Sequence, residues 1–241
     1  MTGLLVQLAL AVIPAVLAIT LHEAAHGYAA LAMGDDTARN AGRLSLNPLR
    51  HVDRTGTILL PGFLLIAQLL TIGRVAFMFG WAKPVPIAAW KFRNPRGGMA
   101  LVAAAGPLAN FFLAWLGGLA LFLVPGNPTG VGELVQQLIV NFILMNLVLG
   151  LFNLLPIPPL DGGRIVVGLL PAPLAARYAG LERAGIAIVL LVVFLLPALA
   201  REFGVAFDPF RQGLAAVLPW AIRMVLYLSG HGIGDTDADF I

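Results

Sequence analysis

The chain has 241 residues, of which 59% are hydrophobic, only 11% are charged, and none is Cys. This composition excludes a soluble globular domain and predicts a polytopic membrane protein with room for five or six helices. The lack of Cys excludes disulfides and thiol chemistry, so any transition-metal ligand must be His or a carboxylate. The net charge of +3 is carried by short basic loops, a pattern typical of membrane orientation rather than nucleic-acid binding.

The first apolar stretch, predicted as a helix over residues 4–33, is followed by a polar, Arg-rich loop over residues 34–56. The next apolar stretch, 57–79, is interrupted by Pro61–Gly62 and again by Gly73–Arg74. Helix breakers and a charge in so short a stretch indicate a segment that enters the membrane and turns back, or that lies along its surface.

A Pro-rich basic loop over residues 80–98 precedes the remaining apolar stretches, which predict four more helices. These helices cover residues 99–124, 133–155, 184–200 and 212–228. We expect one integral membrane domain with a core over residues 1–165, additional C-terminal helices over 184–228 and a polar tail over 229–241. The predicted fold class is an all-α polytopic membrane protein with five to six transmembrane helices.

Two loop segments have strand-like patterns. Residues 42–49 partly alternate between apolar and polar, and residues 83–88 contain Pro84 and Pro86, which favour extended backbone. Because Pro cannot donate to a strand ladder, the second segment could only be an edge strand. Such an edge could bind an extended peptide by β-augmentation.

The sequence HEAAH at residues 22–26 lies inside the first predicted helix. At 3.6 residues per turn, His22 and His26 are about 40° apart on one helix face, close enough to bind one metal ion. This is the HExxH pattern of zinc hydrolases, in which Glu23 would act as general base on a zinc-bound water. A chance match is the alternative, but ionisable groups at membrane depth are costly and rarely present without a use.

An HExxH pair needs a third protein ligand, which leaves the fourth zinc position open for water. His51 is near in sequence but lies among arginines, and His231 lies in the polar tail. Asp161 follows a Pro-interrupted helix and precedes Gly162–Gly163, and irregular backbone at membrane depth is tolerated where it lines a cavity. An ordinary turn role in an Asp-Gly-Gly loop is the alternative. The pairing with HEAAH favours the ligand role.

In combination, these motifs resemble the site-2 protease family of intramembrane zinc metalloproteases, in a compact form without a PDZ or CBS domain. The resemblance is carried by HEAAH and by the N-x-x-P-x-P-x-L-D-G pattern over residues 153–162. The GPLAN run at residues 106–110 is similar to the family's G-x-x-x-N element. The resemblance covers the chain up to about residue 165 and implies a helical fold with short re-entrant or strand-like segments around an intramembrane zinc site.

The resemblance also implies roles for individual residues. His22, His26 and Asp161 would bind Zn²⁺, and Glu23 would activate the water. Asn110 and Asn153 would face the site, where an amide could bind the substrate or the oxyanion without adding a buried charge. For both asparagines, interhelical hydrogen bonding is the alternative.

The implied function is hydrolysis of peptide bonds within or near transmembrane segments, in regulated intramembrane proteolysis or signal-peptide clearance. The partners would be a transmembrane protein or peptide substrate and the lipid bilayer. A metal-ion transporter and a catalytically inactive membrane chaperone are two alternatives. The intact HExxH argues against the chaperone, and the lack of a polar path along the predicted helices argues against the transporter.

Positive charge marks the cytoplasmic side of a membrane protein. The loops 34–56 and 80–98 each hold four Lys or Arg residues, whereas the turn 125–132 holds none. If both basic loops share one side, the stretch 57–79 does not cross. The resulting expectation is five crossings, an external N-terminus and a cytoplasmic C-terminus. The protein would lie in the plasma (inner) membrane of a prokaryote, with its active site toward the cytoplasmic side.

Overall fold

The structure, a computed structural model, describes residues 2–73 and 80–232. Its α-helices, in chain order, are α1 (Thr2–Ala32), α2 (Thr37–Asn40), α3 (Leu60–Ile72), α4 (Pro95–Ala120), α5 (Val131–Asn153), α6 (Asp161–Leu169), α7 (Ala172–Ala179), α8 (Gly185–Leu190), α9 (Leu196–Glu202) and α10 (Pro209–Leu228). Short 3₁₀ or π turns cover Pro48–His51, Arg54–Leu59, Ala89–Lys91, Leu121–Leu123, Gly180–Ala184 and Leu191–Leu195. Arg74 and most of the predicted polar tail lie outside the described residues.

Within the described residues, five helical stretches are long and apolar enough to cross a membrane. They are Leu5–Ala32, Arg54–Thr71, Pro95–Leu123, Val131–Asn153 and Ala172–Glu202. The helix predicted at 212–228 is present as α10, but it is not one of the five, because Arg211, Gln212 and Arg223 lower its hydropathy. Many large apolar side chains of these stretches are exposed, as expected for surfaces that face lipid. The predicted all-helical class is confirmed.

Helix α4 lies at the centre and contacts α1, α5, α6 and α10. Small residues allow the close approach that membrane helices use instead of hydrophobic burial. A Cβ added to Gly117 would lie 2.7 Å from Ile143 on α5, and one added to Gly118 would lie 2.5 Å from Ser229 after α10. The main apolar core is formed between α4, α5 and α10.

Helix α1 ends in a Schellman motif. Gly34 has a positive φ of 96°, and its N–H donates to Leu31 O (3.0 Å). The next amide, that of Asp35, donates to Ala30 O (2.9 Å). Glycine adopts this conformation without steric penalty, so the chain leaves α1 sharply and places Asp35 beneath the helix end.

The site-flanking segment, which we define as residues 80–91, is hydrogen-bonded to the polar loop after α1. Trp81 N–H donates to Gly56 O (3.2 Å), and Lys83 N–H donates to His51 O (2.8 Å). The two basic loops predicted from the sequence are therefore in direct contact. The chain therefore lies beside the first loop again at residues 81–83.

The strand-like part of the fold prediction is wrong for the residues that the structure describes, because neither 42–49 nor 83–88 forms a strand. Pro84 and Pro86 have no N–H to donate. Three other amides of the second segment donate to one loop carbonyl and to two carboxylates, so they cannot pair with a neighbouring strand. Three of the four backbone amides that β-augmentation could use there are thus already engaged.

Candidate metal centre

Three side chains that can bind a metal ion converge between α1 and the first residue of α6. His22 Nε2 and His26 Nε2 lie 3.1 and 3.3 Å from Asp161 Oδ2, and 3.1 Å from each other. All three side chains are buried. Ligand atoms about 2.0–2.1 Å from a tetrahedral zinc ion are about 3.3 Å apart. The observed spacing therefore matches the spacing around a single ion.

The outer hydrogen bonds of the two imidazoles turn their Nε2 atoms inward as acceptors. His22 Nδ1 donates to Asn110 Oδ1 (2.6 Å), and His26 Nδ1 donates to the Val102 carbonyl (2.7 Å). A neutral imidazole has one donor and one acceptor nitrogen, so both Nε2 atoms present lone pairs. Asp161 Oδ2 is buried without a donor and faces the same point. Three buried acceptors this close repel one another unless a cation lies between them, so this set fits a divalent metal ion.

A chain of amides holds the His22 ring from behind. Asn110 is fully buried, and its side-chain NH₂ donates to Asn146 Oδ1 (2.8 Å) on α5. Asn146 in turn donates to the Phe142 carbonyl (2.8 Å). Groups that bond the outer nitrogen of a ligand His fix its tautomer and orientation. The structure thus places Asn110 behind His22, a candidate metal ligand, where it also forms an interhelical hydrogen bond with α5.

Gly106 allows α4 to pass directly against the two imidazoles. A Cβ at this position would lie 2.5 Å from His22 Cε1 and 2.5 Å from both Cε1 and Nε2 of His26. Real Cβ atoms do not approach ring atoms so closely, so a larger residue would displace the rings. The glycine also brings the α4 backbone within reach of His26 Nδ1.

Asp161 is held by the tight packing of its own Asp-Gly-Gly sequence. A Cβ on Gly162 would lie 2.3 Å from Leu154 O, and one on Gly163 would lie 2.6 Å from Pro158 N. The two glycines therefore let α6 begin directly against the loop that follows α5. This contact places the carboxylate opposite the HEAAH face of α1.

The candidate ligands border a mostly apolar cavity of about 380 Å³. Glu23, Asn153 and Arg164 add polar groups to its wall. Glu23 Oε2 accepts a hydrogen bond from Val85 N–H (3.1 Å) in the site-flanking segment. Glu23 thus borders the same space as the three ligands, where a carboxylate can take a proton from a bound water.

The two other histidines considered as third ligands lie elsewhere. His51 Nε2 bonds the Ser45 carbonyl (2.8 Å), and the His231 ring stacks on Phe122 with centroids 4.2 Å apart. Among the described residues, the metal-capable group consists of His22, His26 and Asp161.

Two contacts were not predicted from the sequence, the bond from the Asn110 NH₂ to Asn146 Oδ1 and that from Val85 N–H to Glu23. Asn146 is seven residues before Asn153 and thus on the same face of an apolar helix, a signal that could have revealed it. The Val85 contact uses a backbone amide, which every residue except Pro carries. No sequence pattern could have revealed that contact.

A bundle of apolar helices that joins an HExxH helix to an Asp-Gly-Gly loop defines a class, the integral membrane metallopeptidases. The comparisons with known proteins agree with this class. Residues 129–196 match the family model of Peptidase family M50. The chain is also similar to a Bacillus subtilis (strain 168) protein named "Putative zinc metalloprotease YwhC", with 42% identity over 192 residues, which cover 77% of this chain and 80% of that protein.

The chain belongs to Peptidase family M50 and is a membrane protease of the site-2 type. The family resemblance that the motifs indicated is confirmed. No solved structure matches the chain.

Proposed function

We propose that this protein is a zinc-dependent endopeptidase that cleaves a transmembrane or membrane-adjacent segment of another protein. The observation that carries the proposal is the convergence of His22 Nε2, His26 Nε2 and Asp161 Oδ2 on one buried point beside Glu23. His22 lies ten residues before the end of the apolar α1, or about 15 Å along the helix axis. This is near the middle of a hydrocarbon layer about 30 Å thick.

In this proposal, His22, His26 and Asp161 would hold the metal ion. Bound zinc supplies Lewis acidity, which lowers the pKa of a water and polarises the scissile carbonyl. The Glu23 carboxylate takes one proton from the attacking water as its oxygen forms the new C–O bond. Glu23 then gives this proton to the departing amine as the C–N bond breaks, which returns the carboxylate to its starting state.

Asn110 and Asn153 have different roles in this proposal. Asn110 orients His22, because its Oδ1 accepts from His22 Nδ1 and it is fully buried. Asn153 lines the cavity, and its NH₂ donates to Leu149 O (3.0 Å) in its own helix. Its position supports a contact with the substrate backbone or the oxyanion.

The shape of the site favours a locally unwound substrate. An α-helix with side chains is about 10–12 Å wide and hides its carbonyls in its own hydrogen bonds. A mostly apolar cavity of about 380 Å³ is too small for such a helix to enter whole. We expect cleavable segments to contain Gly, Pro, Asn or Ser near the cut, and replacement of these residues by Leu to slow cleavage. Equal rates on a poly-Leu segment would contradict this expectation.

We also propose that the active site opens toward the cytoplasmic side of a prokaryotic plasma membrane. The bonds of Trp81 and Lys83 to the first basic loop support this, because both basic loops then lie on one side. The stretch 57–79 would be re-entrant or interfacial, although part of it is long and apolar enough to cross. Single Cys at 52 and 92 should be shielded from an impermeant reagent in intact cells, and Cys at 128 should react. Labelling at 92 from outside would show that 57–79 crosses.

The central experiment measures zinc content and peptide cleavage of the purified protein, wild type beside Glu23→Gln. The substitution should abolish cleavage and leave zinc bound, because Glu23 is not a ligand. Metal transport that survives Glu23→Gln would favour the transporter. Wild-type protein that binds zinc but cleaves no membrane segment would favour the chaperone.

A further inference from the structure

The site-flanking segment forms one wall of the cavity. Its contributions to that wall are Gly80, Trp81, Ala82, Pro84, Val85 and Ile87. It also makes a direct contact with Glu23, through the 3.1 Å hydrogen bond from Val85 N–H. The direction of the Glu23 carboxylate therefore depends on where this segment lies.

A buried carboxylate anchors the segment three residues beyond Val85. Asp35 Oδ2 accepts from Ala88 N–H (2.6 Å), and Asp35 Oδ1 accepts from Thr37 N–H (2.9 Å) and from the Thr37 hydroxyl. Lys91 Nζ lies 3.3 Å from Asp35 Oδ1. Asp35 is 0% exposed. A buried charge is tolerated only with several donors in good geometry, so this arrangement tightly constrains the position of Ala88.

The neighbouring ion pair is a weaker anchor. Lys91 Nζ lies 2.5 Å from Asp36 Oδ1, but Asp36 is exposed and Lys91 is partly exposed. Exposed pairs contribute little because solvent screens them. The hydrogen bond between Ala88 N–H and Asp35 is buried from solvent, and we expect it to hold the site-flanking segment more firmly.

We propose that Asp35 is a positioning residue for Glu23, and that it acts by fixing the site-flanking segment so that Val85 N–H meets the Glu23 carboxylate. The proposal rests on the proposed function, in which Glu23 is the general base. Asp35 lies nine residues beyond the end of the HEAAH motif and bonds none of the candidate metal ligands. Its loss should therefore lower the catalytic rate and leave zinc binding intact.

The test compares Asp35→Asn with Asp36→Asn, a neighbouring substitution that makes the same chemical change. An Asn at 35 has only one acceptor oxygen, so its NH₂ must face either Ala88 N–H or Thr37 N–H, and one bond is lost. For Asp35→Asn we expect kcat to fall about tenfold or more, as misplacement of a catalytic group predicts. KM and zinc content should stay within about twofold of wild type. Asp36→Asn should stay within about twofold in all three.

A second measurement follows the segment itself. The chain has no Cys, so Val85→Cys places a single thiol at a buried position. In detergent, N-ethylmaleimide should label this thiol at least about tenfold faster when Asp35→Asn is also present, because the released segment exposes it. Asp36→Asn should leave the labelling rate unchanged.

Three outcomes separate the possibilities. Unchanged kcat or unchanged labelling in Asp35→Asn, beside an active wild type, would overturn the positioning role. Loss of zinc together with activity would also overturn it, because the effect would then be structural. If wild type itself cleaves nothing, it is the proposed function that fails. Should Asp35→Asn not accumulate in membranes, Asp35→Glu keeps the charge but displaces the carboxylate by one methylene, and the same changes are expected.

Discussion

The candidate metal ligands and the candidate general base are held by different parts of the molecule. His22, His26 and Asp161 are buried between packed helices, and the outer nitrogens of the two histidines donate to buried groups of α4. Glu23 is next to His22 in sequence, but its carboxylate accepts a hydrogen bond from Val85 in the site-flanking segment. Asp35, which follows α1, anchors that segment through Ala88 N–H. This difference predicts that metal binding and proton transfer can be perturbed separately, and the predictions below test that separation.

The largest effect should follow from removal of a ligand. Asp161→Ala leaves two histidines, too few to retain zinc against dilution, so both metal and activity should be lost. Glu23→Gln is the control, because it should lower the rate by about 10²–10⁴ while zinc stays bound. Metal analysis of the two purified variants gives the answer. Full zinc occupancy in Asp161→Ala would show that another residue is the third ligand, and His51 would be tested next.

Gly106→Ala should come close to this effect without touching a ligand. Its Cβ would lie 2.5 Å from both imidazole rings, so the rings or α4 must move and zinc affinity should fall by at least about tenfold. Gly213→Ala is the matched control, because a Cβ at this helical position on α10 meets nothing within 4 Å. Competition with a zinc chelator measures both. Equal affinities in the two variants would mean that α4 does not constrain the ligands.

A smaller effect is expected where the bundle supports His22 indirectly. Asn146→Ala removes the acceptor for the Asn110 NH₂ but leaves the bond from His22 Nδ1 to Asn110 Oδ1 in place. Loss of a group that orients a metal ligand typically lowers metal affinity 10–100-fold. We expect Asn146→Ala to lower zinc affinity by about tenfold and Asn110→Ala to lower it further. The same chelator competition ranks the two. A larger loss in Asn146→Ala would contradict the order of the amide chain.

The smallest effect is expected when the pH is lowered, and it concerns the position of the site-flanking segment. Burial raises the pKa of Asp35, but the Thr37 and Ala88 donors and nearby Lys91 outweigh it and hold the pKa below its ordinary value. A carboxylate with a lowered pKa stabilises the folded arrangement above the ordinary pKa and loses this contribution as the pH falls through the folded value. The labelling rate of Val85→Cys, divided by the rate of Val85→Cys with Asp35→Asn at the same pH, should therefore rise a few-fold below about pH 4, because the ratio cancels the slowing of the thiol reaction in acid.

Lys91 and exposed Asp36 are the charged groups beside Asp35. Lys91 stays protonated throughout this range, so it does not contribute to the change. Asp35→Asn provides the control, because position 35 then has no carboxyl to titrate, while the thiol reaction slows in acid as it does without this substitution. Far-UV circular dichroism should show unchanged helix content, and a loss of helix over the same range would assign the acceleration to general unfolding instead.

Much of the candidate site could be predicted because its residues occur in short, contiguous sequence motifs. HEAAH fixes two imidazoles on one helix face, and the Asp-Gly-Gly after a Pro-interrupted helix identifies the carboxylate that the structure brings within 3.3 Å of both. The helical class followed from composition. The strand-like interpretation of 83–88 failed, because its amides bond carboxylates from distant positions instead of a neighbouring strand.

The sequence by itself predicted a helical membrane protein with a His-His-Asp set and an adjacent Glu. These properties depend on helical periodicity, apolar length and residue type, which are local. Only the tertiary structure decided that Asn110 lies behind His22, that Gly106 makes room for the rings, and that Asp35 holds the segment bonded to Glu23. Such contacts join residues 50 to 90 positions apart, and helix packing sets their geometry, which no local pattern encodes.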